Sequence, residues 1–320
     1  MSSVTQTLIK DLKNMASKLS PREIAENYQK EAHWQKMDLS CEAVSKECTK
    51  LAVAFSKPPM PTDKDTELLV RDVAQAIDVL VAWYKAFPLS EGKVINNVLQ
   101  KCVNAIIYAV CEFLESVENN KCSGCKERLT STGTVWECCD KFKTLPQDNT
   151  TAAVSEINVC YKLVSDAMTE VEETVKEHDE HILNSIDDMA DEEDENWSAS
   201  DRALVKPCIG MLMASRGLLK KSKSLLNKNS NISNTEVDML IDVISGVSPS
   251  VDDFVMSLYP PLIQTNLMDR AFELKTCVVK TINFIRSLPS FNTEEHSWSD
   301  FVEKAVHHNF TILSSLISTI

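Results

Sequence analysis

The chain has 320 residues and a net charge of −14, with 33 Lys and Arg against 47 Asp and Glu. This balance disfavours a nucleic-acid-binding protein, because phosphate contacts need clustered basic side chains. The 6 glycines are few for a sheet-rich fold with tight turns, and no uncharged apolar run approaches the roughly 20 residues of a membrane span. With 11 Cys and no signal-peptide pattern, we expect free thiols and residence in the cytoplasm and nucleus.

The first part of the chain has the apolar periodicity of four amphipathic helices, at about 4–19, 21–56, 62–87 and 91–118. Ser20, Pro21 and Glu23 form a capping-box pattern that predicts the start of the second helix. Thr62 is the expected N-cap of the third. The segment 119–148 is less regular, and its pattern predicts one short helix around 135–142.

The longest helical pattern begins at Asn149, which we interpret as its N-cap. Its apolar residues are spaced alternately by three and four, which is typical of a helix that packs lengthwise on other helices. They are Val154, Ile157, Tyr161, Val164, Met168, Val171, Val175, His178 and Ile182. Because the other helices share this period and also need partners, we expect this seam to lie inside a bundle.

The negative charge is concentrated in the second half of this seam and in the residues that follow it. Between Glu170 and Glu195 there are thirteen acidic residues and one Lys, a net charge of −12, so the rest of the chain is nearly neutral. We predict that residues 187–197 form a flexible acidic linker. Its candidate partner-binding residues are Asp191, Glu192, Glu193, Asp194 and Glu195. Ser185 and Ser198 flank the tract and are candidate phosphorylation sites.

The second part of the chain continues the helical pattern. Ser198 or Ser200 is expected to cap a helix whose start Pro207 kinks or interrupts. A loop at 227–234 and a short helix at about 237–247 follow, and then Ser248 and Pro249 open another helix. Two long helices, at about 262–288 and 294–320, complete the chain.

These elements predict an all-α fold of two packed bundles of long antiparallel helices. The predicted N-terminal bundle covers 1–186 and the C-terminal bundle covers 198–320, with the acidic linker at 187–197 between them. The terminal helices could cross between the bundles.

Two groups of residues have the composition of metal sites. Cys122 and Cys125 precede the adjacent Cys138 and Cys139, but adjacent thiols do not easily face one ion, so free thiols are favoured over zinc. His178 and His181 point to different sides of their helix and do not converge. The sequence thus predicts no metal, no cofactor and no catalytic constellation.

A basic cluster lies in the helix predicted after the acidic tract, about twenty residues further along the chain. Its members are Arg216, Lys220, Lys221, Lys223 and Lys228. Their helical spacing favours the solvated face of an amphipathic helix. A nuclear-import signal and an intramolecular contact with the acidic tract are the two alternatives.

The segment 248–262, SPSVDDFVMSLYPPL, closely resembles the signature of the cyclin-D-interacting protein (GCIP) family. Further similarities are Phe55-Ser56 before Pro58–Pro61, LPQDNTTAA at Leu145–Ala153, Trp197-Ser198 leading to Pro207-Cys208, Trp34 and Trp298. The resemblance implies a non-enzymatic protein that binds D-type cyclins and helix–loop–helix transcription factors and represses cell-cycle and differentiation transcription. It also implies helical bundles similar to those of talin and vinculin. The long seam is not a Leu zipper, which departs from descriptions of the family.

Two functions follow from these interpretations. The first is a cell-cycle and transcription regulator that works through protein contacts, without direct nucleic-acid or membrane binding, and whose oligomeric state the sequence leaves open. Asp252, Asp253 and Tyr259 in the signature are its candidate partner contacts, although Asp252 and Asp253 could simply favour a helix N-terminus. The alternative is a cytoskeletal or adhesion adaptor of the vinculin–talin type.

Overall fold

A computed structural model of the chain describes residues 3–20, 28–119, 126–184, 197–229, 231–289 and 293–319. Within these ranges the structure is helical and contains no β-strand, which confirms the predicted all-α class. The chain divides into two compact units, Met1–Ala152 and Ala153–Ile320. The similarity to talin and vinculin bundles stays a prediction.

In its described part, the first unit contains five helices and the beginning of a sixth. They are α1 (Ser3–Ser17), α2 (Lys30–Ala54), α3 (Asp63–Lys85), α4 (Lys93–Asn119), α5 (Lys126–Lys141) and the start of α6 (Asn149–Asn184), with 3₁₀ turns at Leu89–Glu91 and Phe142–Thr144. Helix α4 packs against α1 and α5, and α2 packs against α3 and α5. The two pairs together enclose one apolar core.

The start of α3 is as predicted, and the start of α2 is not. The Thr62 side chain accepts from the Asp65 N–H while Asp65 caps Thr62 in return, a complete capping box. Helix α2 begins only at Lys30, after Gln29 with an extended backbone. Ser20 lies in a non-helical segment, and Pro21 and Glu23 lie outside the described residues.

Asn149 does not cap its own helix, contrary to the prediction. Its Oδ1 accepts from the Ile95 N–H of α4 at 3.0 Å, whereas Asp148 accepts from the Thr151 N–H at 2.7 Å and so caps α6. The contact between Asn149 and α4 requires glycine at position 92, because the φ of Gly92 is +118° and a Cβ there would lie 2.0 Å from Asn149 Cγ. One buried amide therefore connects the starts of α4 and α6.

Helix α4 is the only described helix long and apolar enough to span a membrane, judged by length and composition alone. Its apolar side chains are instead used in the core of the first unit, where Ile95, Leu99 and Ile106 are fully buried. A core helix satisfies the same criteria as a spanning helix.

Helix α5 is longer than the short helix predicted at 135–142. Its buried face begins at Arg128, whose Nη1 donates to the Phe55 carbonyl at 2.6 Å and whose guanidinium lies 5.5 Å from the Phe55 ring centroid. A buried Arg is an unusual core residue. Because Arg128 is polar, a search for periodic apolar side chains does not detect the first part of α5.

The residues described in the second unit form the rest of α6 and five further helices. They are α7 (Ala199–Lys228), α8 (Asn234–Ile244), α9 (Val247–Met256), α10 (Gln264–Ser287) and α11 (Thr293–Thr319). Helix α7 packs against α11, and α10 packs against α8, α9 and α11. Arg286 of α10 donates to Ser299 and Glu303 of α11 at 3.2 and 2.6 Å.

Helix α7 is continuous through Pro207, so the expected interruption is wrong. Pro207 removes one backbone N–H, which would have bonded to the carbonyl four residues earlier. That residue, Ala203, is exposed, so its carbonyl can be hydrated and the helix tolerates the loss.

Most of α6 belongs to the second unit, whereas the sequence placed the boundary at 186. Lys223 of α7 donates to Asn158 of α6 at 2.7 Å, and four residues of the predicted seam, Ile157, Val164, Met168 and Val171, are buried. Of the predicted linker 187–197, only Trp197 lies within the described residues, and it is buried.

The terminal helices each pack within their own unit. Helix α1 contacts α4 and α3, and α11 contacts α7 and α10. The two units are thus continuous stretches of sequence.

Candidate partner-binding surface

Helix α9 carries the signature segment, and it begins slightly earlier than predicted. Its N-cap is Gly246, so Ser248 and Pro249 lie in the first turn and do not cap it. Pro is tolerated there because first-turn N–H groups have no helical partner. Ser248 is buried, which removes it from the accessible surface.

The two faces of α9 differ sharply in polarity. Val251 and Phe254 are fully buried, and Val255 is nearly so. The outer face carries Asp252 and Asp253, both exposed, and Met256, of which 70% is exposed. Acidic groups next to a large exposed apolar side chain make this face a candidate for protein contact.

The two carboxylates of this face have different environments. Partial burial and then the neighbouring charge of Asp253 raise the pKa of Asp252. Asp253 lies 3.7 Å from the Arg270 guanidinium of α10, an exposed ion pair that contributes little to stability. Both carboxylates therefore remain available to a partner.

Tyr259 has an internal contact, which its sequence position did not reveal. Its hydroxyl donates to Glu170 of α6, and burial together with this hydrogen bond raises the pKa of Tyr259 to about 12. The neighbouring Leu258 accepts from the buried Trp197 Nε1 at 2.6 Å. The end of the signature thus holds α6 on one side and the start of α7 on the other.

Family models match most of the chain. One described as Grap2 and cyclin-D-interacting, N-terminal, matches residues 36–177, and one described as Grap2 and cyclin-D-interacting, C-terminal, matches residues 177–283. The chain belongs to this family. The two GCIP models meet inside α6.

Curated relatives of this GCIP-family chain carry names that state a binding activity. Cyclin-D1-binding protein 1 homolog of Danio rerio is 32% identical over 295 residues, which are 89% of this chain and 86% of the relative. The homolog of Xenopus laevis is 28% identical over 86% of each chain. Cyclin-D1-binding protein 1 of Homo sapiens is 26% identical, covering 90% of this chain and 85% of the relative.

Other candidate residues of this GCIP-family chain fall partly outside the described ranges. Ser185 and Asp191, Glu192, Glu193, Asp194 and Glu195 lie outside them. Ser198 is exposed and is the N-cap of α7, where its hydroxyl accepts from the Asp201 N–H at 3.1 Å. Its role as a phosphorylation site stays a prediction.

The cysteines show no metal site where the structure describes them. Cys122 and Cys125 lie outside the described residues, as do the side chains of His178 and His181. Burial raises the pKa of the Cys139 thiol to about 12, and Cys138 is shifted in the same direction. A raised pKa disfavours the thiolate that metal binding needs, and the described residues contain no cluster of metal-ligating side chains.

Proposed function

We propose that this chain is a non-enzymatic regulator that binds a D-type cyclin. The observation that carries the proposal is its membership of the GCIP family, together with curated relatives named for cyclin D1 binding that align over about nine-tenths of the chain. We further propose that it acts in the cytoplasm and nucleus, and that it also binds helix–loop–helix transcription factors and represses their output.

The outer face of α9 is the surface that we propose for the cyclin. Its two exposed carboxylates and Met256 stand on a helix whose opposite side is fixed by the core. Ile263, which precedes α10, is also exposed, and we include it in the proposed surface. An apolar centre with a charged rim is the usual organisation of a protein interface.

The test is binding of purified full-length protein to an immobilised D-type cyclin. Replacing Asp252 by Lys and Met256 by Ser together should weaken the complex at least about tenfold, because both a charge and an apolar anchor are lost. Asp269→Lys is the matched control, since Asp269 is an exposed carboxylate of α10. No binding by the wild-type protein would refute the function, and equal loss in the control would refute the surface.

The adaptor alternative has its own measurement. Co-sedimentation with filamentous actin, done with the same preparations, distinguishes the two functions. Binding to actin without binding to a D-type cyclin would favour an adaptor of the vinculin–talin type.

A further inference from the structure

Nearly all charged side chains of helix α7 are positive. Between Arg202 and Lys228 it has seven Lys and Arg and no Asp or Glu, in a chain whose net charge is −14. Lys206, Lys220 and Lys221 are exposed. At about 100° per residue, they surround Met213 on the outer side of the helix, and half of the Met213 side chain is exposed.

Within the described ranges, several of these basic groups have no acidic partner. In the part of the chain that the structure describes, Lys206, Lys220 and Lys221 form no ion pair. Arg216 is likewise without a carboxylate among the described residues. Lys223, at the edge towards α6, donates to the neutral Asn158 amide. As far as the described residues go, the positive charge of Lys206, Lys220 and Lys221 therefore remains open to a ligand.

Two exposed apolar side chains of α11 border this face. A Cβ on Gly210 would meet Asn309, and a Cβ on Gly217 would meet Val302. These contacts show that α7 and α11 run antiparallel and approach closely. On the outer side of α11, 72% of Phe301 and 37% of Ile312 are exposed.

The register places these two side chains along the basic stretch of α7. Phe301 precedes Val302 and so lies near the Gly217 end, beside Lys220 and Lys221. Ile312 follows Asn309 and lies towards Lys206. Met213 falls between the two levels.

We propose that this basic–apolar face, formed by Lys206, Met213, Lys220 and Lys221 of α7 with Phe301 and Ile312 of α11, binds an acidic amphipathic helix of a partner protein. Two adjacent antiparallel helices form a shallow groove into which a third helix fits with its apolar side. The lysines then meet carboxylates at the edge of the bound helix. Charge complementarity thus selects the partner's polar side, and the exposed Met213, Phe301 and Ile312 select its apolar side.

An anionic membrane fits this face less well. A planar surface extends beyond the groove and also meets the surrounding charges of a molecule whose net charge is −14. A single helix meets only the local charges, because those beyond a Debye length of about 8 Å are screened at physiological salt. The proposal goes beyond the proposed function, since it concerns α7 and α11 and not the α9 face.

The probe is a fluorescein-labelled peptide of about three heptads, with Leu at the first and fourth positions and Glu, Gln and Ala elsewhere. Fluorescence anisotropy with the full-length protein should show saturable binding that weakens as salt is added. The triple variant Lys206→Glu, Lys220→Glu, Lys221→Glu should bind at least about tenfold more weakly. Phe301→Ser should also weaken binding.

The matched control is Lys10→Glu, Lys36→Glu, Lys64→Glu, which makes the same change in net charge at exposed positions of the first unit. It should bind the peptide within about twofold of the wild type. Circular dichroism verifies that each variant is folded. If the triple reversal does not fold, the corresponding Lys→Gln variant replaces it, with the same loss expected.

Several outcomes would overturn the proposal. One is absence of peptide binding by the wild-type protein, and another is equal binding by the two triple variants. A third is that the wild-type protein binds phosphatidylserine vesicles but not the peptide, and that the triple variant of Lys206, Lys220 and Lys221 no longer binds the vesicles. This result would assign the face to a membrane. A fourth is that the wild-type protein self-associates in sedimentation velocity and does not bind the peptide, while the same triple variant stays monomeric. This result would assign the face to a second copy of the chain. The assay contains no cyclin, so its failure leaves the proposed function intact.

Discussion

At the start of α4, the Ile95 N–H bonds to a side chain 54 residues later in the chain, that of Asn149. Gly92→Ala should therefore destabilise the protein by more than about 1 kcal/mol, because a Cβ collides with Asn149 and the positive φ is strained. Gly133→Ala is the control. It lies in α5 with no atom within 4 Å of its added Cβ, and Ala should raise helix stability there by up to about 1 kcal/mol.

Thermal unfolding by circular dichroism measures both effects. Adding Asn149→Ala to Gly92→Ala removes the collision, so the double variant should lose less than the sum of the two single losses. Strict additivity would mean that the two residues do not contact each other in solution.

A second prediction at the residue scale concerns acid stability. His33 is buried among the rings of Tyr28, Trp83 and Phe87, with centroid distances of 5.4 to 5.6 Å. Burial lowers the pKa of His33 below 6.5. The unfolded chain therefore takes up this proton first as pH falls, and stability is lost from about pH 6.5 downwards until the folded form is protonated too, by at most about 1.4 kcal/mol per pH unit.

Urea unfolding midpoints at a series of pH values test this dependence. His33→Phe should reduce the loss between pH 7 and pH 5, since it removes the titrating group but keeps a ring. His307→Gln, at an exposed position, should leave the loss unchanged. A wild-type slope that His33→Phe does not alter would assign the acid sensitivity to other groups.

These residues also show what sequence can predict. Thr62 and Asp65 are three residues apart, so their capping box follows from local sequence alone. The Asn149 side chain looks identical to a local cap, but its partner lies on another helix. Arg128 and His33 are polar residues used in a core, and hydrophobic periodicity cannot find them.

At the scale of elements, the hydrogen bond between Tyr259 and Glu170 allows two roles of the signature segment to be distinguished, namely stabilising the fold and contacting a partner. Tyr259→Phe removes the hydroxyl that fixes α6 to the segment after α9, and should cost about 1 kcal/mol of unfolding free energy or less, because the site is partly exposed. Cyclin binding should stay within about twofold of the wild type, in contrast to the variant with Asp252→Lys and Met256→Ser. A cyclin-binding loss in a variant of wild-type stability would make Tyr259 a partner contact.

The helices themselves were largely predictable, and their assignment to units was not. The period of α6 correctly indicated that Ile157, Val164, Met168 and Val171 are buried. Which helices bury them depends on pairs such as Asn158 with Lys223, which are 65 residues apart. The change in composition at the acidic tract predicts a boundary near 186, whereas the two compact units divide between Ala152 and Ala153.

At the scale of the whole molecule, this boundary can be tested with fragments. The fragment 153–320 retains the four buried seam residues, and the fragment 187–320 lacks them. Burial of such side chains stabilises by about 1.5–3 kcal/mol each, and four of them amount to much of the 5–15 kcal/mol typical of a domain. We therefore expect 153–320 to unfold cooperatively and 187–320 to aggregate or unfold at a clearly lower temperature.

Two valines of α6 provide the matched control within the fragment 153–320. Val164 is fully buried, whereas 54% of Val159 is exposed. If α6 packs within the second unit, Val164→Ala should lower the unfolding free energy of the fragment by about 1–2 kcal/mol and Val159→Ala by less than about 0.5 kcal/mol. Equal effects, or a fragment 187–320 as stable as 153–320, would mean that α6 takes its stability from elsewhere and that the boundary at 186 is the physical one.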